Sequence, residues 1–275
     1  KTHNLNLEYF IAKRLITAKD YKSSISAPII KIAISAIAIG IIMMMVSVAT
    51  GIGLQKKIRD KVSAFNGQII ISNYDNNNSE VTTVPISKEQ DFYPNFKSVP
   101  EVSHIQAVAS KAGIIRTENA FEGIIFKGVG EDYDWNNIKE YIVDGKLPDF
   151  AKALNEDVII SRFLADRLNL KIGDQFNTFF IKEEQGKLPN SRRFKIVGIF
   201  NSGFQDFDAT YIIGDIRHIQ RINKWSESQV GAFEVFVKDF NEIKSTGNKI
   251  YEKTSSNLDT QTIVEKYSYI FVWLK

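Results

Sequence analysis

The sequence predicts an α+β protein: a transmembrane helix with a helical stalk, followed by a mixed α/β domain. Three features predict it. Ile32–Leu54 is uncharged over 23 residues, which as a helix rise about 34 Å, enough to cross a hydrocarbon core of about 30 Å. Beyond Gly67 the apolar pattern changes from a helical period to short runs of strand length. Those runs alternate with amphipathic segments of helix length. The net charge of the 275 residues is only +3, with acidic and basic side chains interspersed, which gives no footing for nucleic acid. Cysteine is absent, so disulfides, thiolate metal sites and cysteine nucleophiles are excluded.

In chain order, residues 1–26 form a first segment. Within it Leu7, Phe10, Ile11 and Leu15 share a helical face, the pattern of a short helix lying along a membrane surface. Residues 27–54 are the transmembrane helix, with Ser26 placed to cap it and Pro28 in its first turn. A cleaved signal peptide would carry a shorter apolar core, about 7–15 residues, behind a short basic end. Within the span Ala33, Ala36, Gly40, Ser47 and Gly51 fall within about 60° of one another at 100° per residue, a stripe of small residues that lets another helix approach closely. Met43 lies on that stripe with Met44 beside it, either as an adaptable lining for acyl chains or as side chains facing lipid. Residues 55–66 continue as a stalk, with Leu54, Ile58, Val62 and Phe65 on one face and a stop expected at Asn66-Gly67. Basic residues flank the span almost equally, so charge leaves its orientation open.

Residues 67–265 make up the large domain. Strands are expected at Gln68–Ser72, His104–Arg116, Ala120–Gly128, Gln175–Ile181, Arg193–Phe200, Phe233–Lys238 and Thr260–Val264, with a hairpin around Thr117-Glu118-Asn119. Helices are expected at Ser87–Lys97 (weakened by Pro94), in SRFLADRLNL after Asp157–Ile160, at Ile216–Asn223 and at Asn241–Lys253. The apolar run Tyr269–Leu274 reads as a terminal strand or, preferably, as the start of a second transmembrane helix within residues 266–275.

Catalytic chemistry finds little support. His3, His104 and His218 are scattered without metal-ligand spacing, and neither a GxSxG elbow nor a GxxxxGK[ST] phosphate loop occurs. No catalytic residue, metal site or cofactor is expected in this chain. Glu131, Asp132 and Asp134 form an acidic cluster that reads as a solvated loop in preference to a cation site. The charged loop Lys182–Arg193 is either a plain hairpin tip or an arm that docks a partner through Leu188, Pro189, Arg192 and Arg193.

The runs FIAKRLI and SAPIIKIAISAIAIGIIMMMVSVATGIGLQKKIRDKV resemble the start of lipoprotein-releasing ABC-transporter permeases of the LolC/LolE type, within the FtsX-like, MacB-like superfamily. GIIFKGV, DVIISRFLADRLNLKIGDQF and FKIVGIF resemble that superfamily's core domain in kind and order, and EKYSYIFVWLK resembles the approach to its second transmembrane helix. The resemblance implies a non-catalytic permease subunit in the inner membrane, with a cytoplasmic N-terminus and a periplasmic domain of two subdomains, one inserted in the other. It implies ATP and Mg on a separate ATPase subunit, a second permease copy or paralogue, a lipoprotein substrate and a periplasmic carrier docked on the Lys182–Arg193 hairpin. A MacB-type exporter or an FtsX-type regulator is the alternative within the superfamily, and a single-pass anchored sensor the alternative outside it.

Overall fold

The computed structural model describes residues 7–17, 26–76, 79–118, 120–181 and 189–272, in two compact units, Lys1–Ile58 and Arg59–Lys275. In the first unit, α1 (Leu7–Thr17) leaves Leu7, Tyr9, Phe10 and Ile11 exposed. The long α2 (Ser26–Asn66) begins there. Its stretch Pro28–Asn66 is, among the described residues, the one helix long and apolar enough to cross a membrane by length and composition, and none of its most apolar window is buried.

The second unit starts within the end of α2. Val62 and Phe65 are buried as the stalk pattern predicts, whereas Leu54, in the first unit, stays exposed. Gly67 ends the helix with φ +70°, a left-handed conformation that side chains resist. A Cβ there would come within 2.7 Å of the Glu234 side chain, so glycine also permits the close approach.

The remaining elements are β1 (Ile69–Asn73), β2 (Ile86–Ser87), β3 (Val102–Arg116), β4 (Phe121–Val129), α3 (Asn136–Lys139), β5 (Ile142–Gly145), β6 (Asp157–Ser161), α4 (Arg162–Leu168), β7 (Gln175–Phe180), β8 (Asn190–Phe200), α5 (Gln205–Asp208) and β9 (Tyr211–Asp215). After them come α6 (Arg217–Asn223), β10 (Gln229–Val230), β11 (Ala232–Val237), α7 (Ile243–Lys253), β12 (Leu258–Thr262), α8 (Ile263–Lys266) and α9 (Ser268–Phe271). The main sheet runs β12-β1-β11-β3-β4-β9-β6-β8-β5, with β7 bridging β3 and β8. Strands β4 and β9 are parallel neighbours although β5–β8 lie between them in sequence. The segment β5–β8 thus lies in sequence between two strands that are neighbours in one continuous sheet.

Period-2 alternation gives β4 two buried faces. Phe126 points to one, where it stacks on Phe194 with centroids 4.9 Å apart and meets His218 of α6. Ile125, Lys127 and Val129 point to the other, where Phe65 of α2 and Phe207 of α5 join Val129, Phe200 and Tyr211 in one apolar cluster. Phe65 is the hub of that cluster, with ring centroids 5.3, 5.5 and 5.7 Å from Phe200, Tyr141 and Phe207.

Three expectations need correction. Ser87–Lys97 is no helix: past β2 it forms successive turns that place Phe92 and Phe96 in the core, and Pro94 removes a helical donor. Strand β8 begins at Asn190, so Arg192 and Arg193 belong to a strand and not to the loop tip. The last strand ends at Thr262, where a capping box with Glu265 starts α8. The run from Tyr269 is helical as far as it is described, which removes the terminal-strand reading. Its Ile270 and Phe271 are buried, and Tyr269 and Val272 are exposed.

His218 generates a pH prediction. Its Nε2 lies 2.9 Å from the Asn155 carbonyl, and its ring stands edge-on to Phe194. Burial lowers its pKa, outweighing the opposing pull of the Asn155 carbonyl, Asp215 and Glu156, and Arg192 adds to the lowering. The folded protein therefore holds a neutral ring while the unfolded chain protonates below about pH 6.5. Stability present above that pH is lost as pH falls towards the folded pKa. The melting temperature should decline between pH 7 and 5, and His218→Gln should flatten that slope. An identical slope in the variant would assign the loss to other groups.

Candidate functional site

The most unusual chemistry lies where the end of α2 meets the sheet. Lys127 and Glu234 are 3% and 5% exposed, on β4 and β11, with their charged atoms 2.5 Å apart. A second donor contact of Lys127 Nζ reaches the backbone carbonyl of Phe65, one residue before α2 ends. The last four carbonyls of a helix have no intrahelical partner, and a cation at that end is favoured by the helix dipole. Lys127 therefore closes an open hydrogen-bonding position of α2 while facing a carboxylate. Glu234 also accepts from Gln106 Nε2 at 2.8 Å, and Gln106 Oε1 accepts from the Asp134 amide at 2.9 Å. Burial pulls the Lys127 ammonium below the ordinary lysine pKa, and Glu234 opposes that pull. Burial likewise raises the neighbouring Tyr133 phenol.

Beside this pair is a small polar cavity of about 70 Å³, lined among others by Asn66, Glu80, Lys127, Tyr211, Glu234 and Lys266. Tyr211 donates to Glu80 at 2.8 Å, and Lys266 approaches the same carboxylate at 3.2 Å. Tyr267 donates to Asn66 Oδ1 at 3.0 Å. The last residue of α2 and residues after β12 thus meet in one hydrogen-bonded cluster. Sequence reasoning missed it. Lys127 sat in a strand that read as apolar, and its partner lies 107 residues away.

The acidic loop is less solvated than expected. Asp132 accepts from Tyr93 Oη at 3.0 Å and from the Ala107 amide at 2.6 Å, tying the loop to the sheet. Among the described residues no group of side chains is arranged to hold a metal ion.

The structure separates the residues expected to dock a partner. Leu188 lies outside the described residues, and Pro189 immediately precedes β8. Arg192 pairs in register with Thr178 and Arg193 with Asn177, so the two arginines point to opposite faces of the hairpin. Arg193 is exposed on the face that also carries Asn177, Arg116 and Phe121 across β7, β3 and β4. Arg192 is half-buried on the other face and donates to the Ser191 carbonyl. In α2, Ala33, Ala36, Gly40, Ser47 and Gly51 are all exposed, and a Cβ added at Gly40 or Gly51 would meet nothing within 4 Å. Met43 and Met44 are exposed as well.

Residues 32–263 match the family described as the MacB-like periplasmic core domain. The chain belongs to that family. The lipoprotein-releasing system transmembrane protein LolC of Buchnera aphidicola subsp. Acyrthosiphon pisum (strain APS) is 23% identical over 237 residues, covering 81% of this chain and 56% of that protein. The chain therefore spans about half the length of this relative. Among solved structures, the periplasmic region of MacB from Actinobacillus actinomycetemcomitans is 14% identical with a TM-score of 0.46, covering 75% of this chain and 92% of that one. The extracellular domain of the noncanonic ABC-type transporter YknZ from Gram-positive bacteria is 15% identical with a TM-score of 0.45, covering 72% and 100%. The MacB-like core of this chain thus carries its buried ion pair on two strands of the family domain, β4 and β11, beneath the end of α2.

Removing one partner of a buried pair strands the other, which typically costs about 3–5 kcal/mol, whereas replacing both by apolar groups is often neutral. Lys127→Met should therefore destabilise the domain by about 3–5 kcal/mol in denaturant unfolding, and Lys127→Met with Glu234→Leu should recover at least half of that loss. A double variant no more stable than the single one would show that the pair does not act as a unit.

Proposed function

We propose that this chain is the N-terminal part of a permease subunit of an ATP-driven transporter that extracts lipoproteins from the inner membrane and passes them to a periplasmic carrier. The observation that carries the reading is the coincidence of the family domain, the LolC relative and an apolar helix that runs directly into the domain. In this reading α2 crosses the inner membrane from a cytoplasmic N-terminus and the second unit lies in the periplasm. In the same reading ATP and Mg act on a partner ATPase, as the likeness to LolC implies, and residues 1–275 carry no GxxxxGK[ST] loop. A second permease copy or paralogue packs on the open stripe at Ala33, Ala36, Gly40, Ser47 and Gly51, and Met43 and Met44 line the path of the acyl chains. Depleting the protein should make lipoproteins accumulate in the inner membrane, as read by membrane fractionation. Normal lipoprotein sorting with loss of export of another substrate would favour a MacB-type exporter instead.

The carrier docks on the face that Arg193 shares with Arg116, Asn177 and Phe121, where Phe121 is 75% exposed. Guanidinium groups there give multidentate hydrogen bonds to carboxylates or carbonyls. Arg193→Glu should abolish carrier pull-down while leaving the melting temperature nearly unchanged, since an exposed charge change costs within about ±0.5 kcal/mol. Arg192→Glu places a carboxylate on the half-buried opposite face, so it should lower the melting temperature and spare binding in the fraction that folds. The reverse pattern would move the docking face to the other side of the hairpin.

A further inference from the structure

The main sheet ends in two terminal strands, β12 and β5. A terminal strand presents backbone N–H and C=O groups that another chain can pair with. In an antiparallel ladder, every second residue turns those groups away from its neighbour. On β12 two bonds fix which residues these are. Ile263 N donates to the Gln68 carbonyl at 2.9 Å, and Tyr74 N donates to the Asn257 carbonyl at 3.0 Å. With Ile69 opposite Thr262 and Asn73 opposite Leu258, the outward N–H groups of β12 belong to Leu258, Thr260 and Thr262.

All three donors are occupied from within the chain. Leu258 N donates to the Ser255 carbonyl at 2.9 Å. Thr260 N donates to Asp259 Oδ1 and Thr262 N to Glu265 Oε2, each at 2.9 Å. The same Glu265 oxygen accepts from Thr262 Oγ1 at 2.7 Å, which fixes the carboxylate over the strand end. The opposite edge repeats the device. Lys146 N donates to the Val197 carbonyl at 2.9 Å with Gly145 opposite Gly198, so the Gly145 N–H points outward from β5. Asp144 Oδ1 takes it at 2.9 Å, as Asp259 takes Thr260. A register shift between Ile142 and Asp144 breaks the rest of that row. Aspartate is depleted from strands, yet each terminal strand holds one directly before an outward N–H.

We propose that Asp259 and Glu265 on one edge, and Asp144 on the other, close the main sheet against edge-to-edge pairing with a second copy of this chain. An arriving strand would bring its carbonyl oxygens to these N–H groups and meet carboxylate oxygens already seated there. Two β12 edges side by side would also set the carboxylates of one copy against those of the other. The closure holds whatever the protein transports, and it leaves partners to meet the domain through side chains.

Sedimentation of residues 1–275 in detergent micelles, over rising protein concentration, tests it. Asp259→Ala with Glu265→Ala should add a species of twice the mass of the unaltered protein. Asp259→Asn with Glu265→Gln keeps both acceptors and should sediment as the unaltered protein does. Glu265→Ala also removes the cap of α8, so Asp259→Ala alone is the second variant and should add the same species at higher concentration. At the lowest concentration, its Thr260 amide should exchange about fivefold faster, the loss of one ordinary hydrogen bond. Adding Thr260→Pro to either alanine variant removes an outward donor and spares the bonds to β1, so it should restore the unaltered mass. An unchanged mass in both alanine variants, unchanged exchange at Thr260, or a heavier species that survives Thr260→Pro would overturn the closure.

Discussion

A lysine ammonium in the interior of a sheet constrains much of the domain around it. Taking such a charge out of water costs several kcal/mol even after relaxation, and Lys127 offsets that cost with a carboxylate from β11 and the backbone carbonyl of Phe65. Each of those groups has to be delivered. Glu234 reaches Lys127 across β3, which lies between their strands. The carbonyl arrives only if α2 ends at Asn66, and α2 ends there only with a residue at Gly67 that accepts a positive φ. Helix length, helix stop and sheet order are thus conditions on one another.

The two faces of the sheet divide the work. One is a core of rings, with Phe126 stacked on Phe194 and Phe180 edge-on to both, closed by α6. The other combines an aromatic cluster centred on Phe65 with the polar cluster of Glu80, Tyr211 and Tyr267. An apolar core specifies how elements pack through shape, with wide tolerance for exchange. A buried polar cluster specifies which atom meets which, because every unpaired group is penalised. The end of α2 and the residues that follow β12 meet on the second kind of face.

Much of the architecture was legible because it follows local rules. The period-2 runs of β3 and β4, their Thr117–Ala120 turn, the Ser161-capped helix α4 and the stop at Gly67 come from short-range patterns. The short strands β2, β5 and β10 were not legible, since two to four residues carry no measurable period and pair only because distant strands present an edge. Ser87–Lys97 misled because Phe92 and Phe96 are spaced as on a helix, yet turns bring both into the core. The arginines at 192 and 193 looked like one docking pair until the register with β7 put them on opposite faces. The buried lysine escaped notice for the same reason: what makes it tolerable is a long-range pairing, not its neighbours in sequence.

The contact between Lys127 and the Phe65 carbonyl has a mechanical corollary. Successive carbonyls of a helix are set 100° apart around its axis, and only one of them faces the ammonium. A turn of the helix end by a single residue would swing that carbonyl away and carry the Phe65 ring out of its aromatic nest in the same motion. The rotational setting of the end of α2 is thus fixed by a polar contact and a ring contact of the same residue.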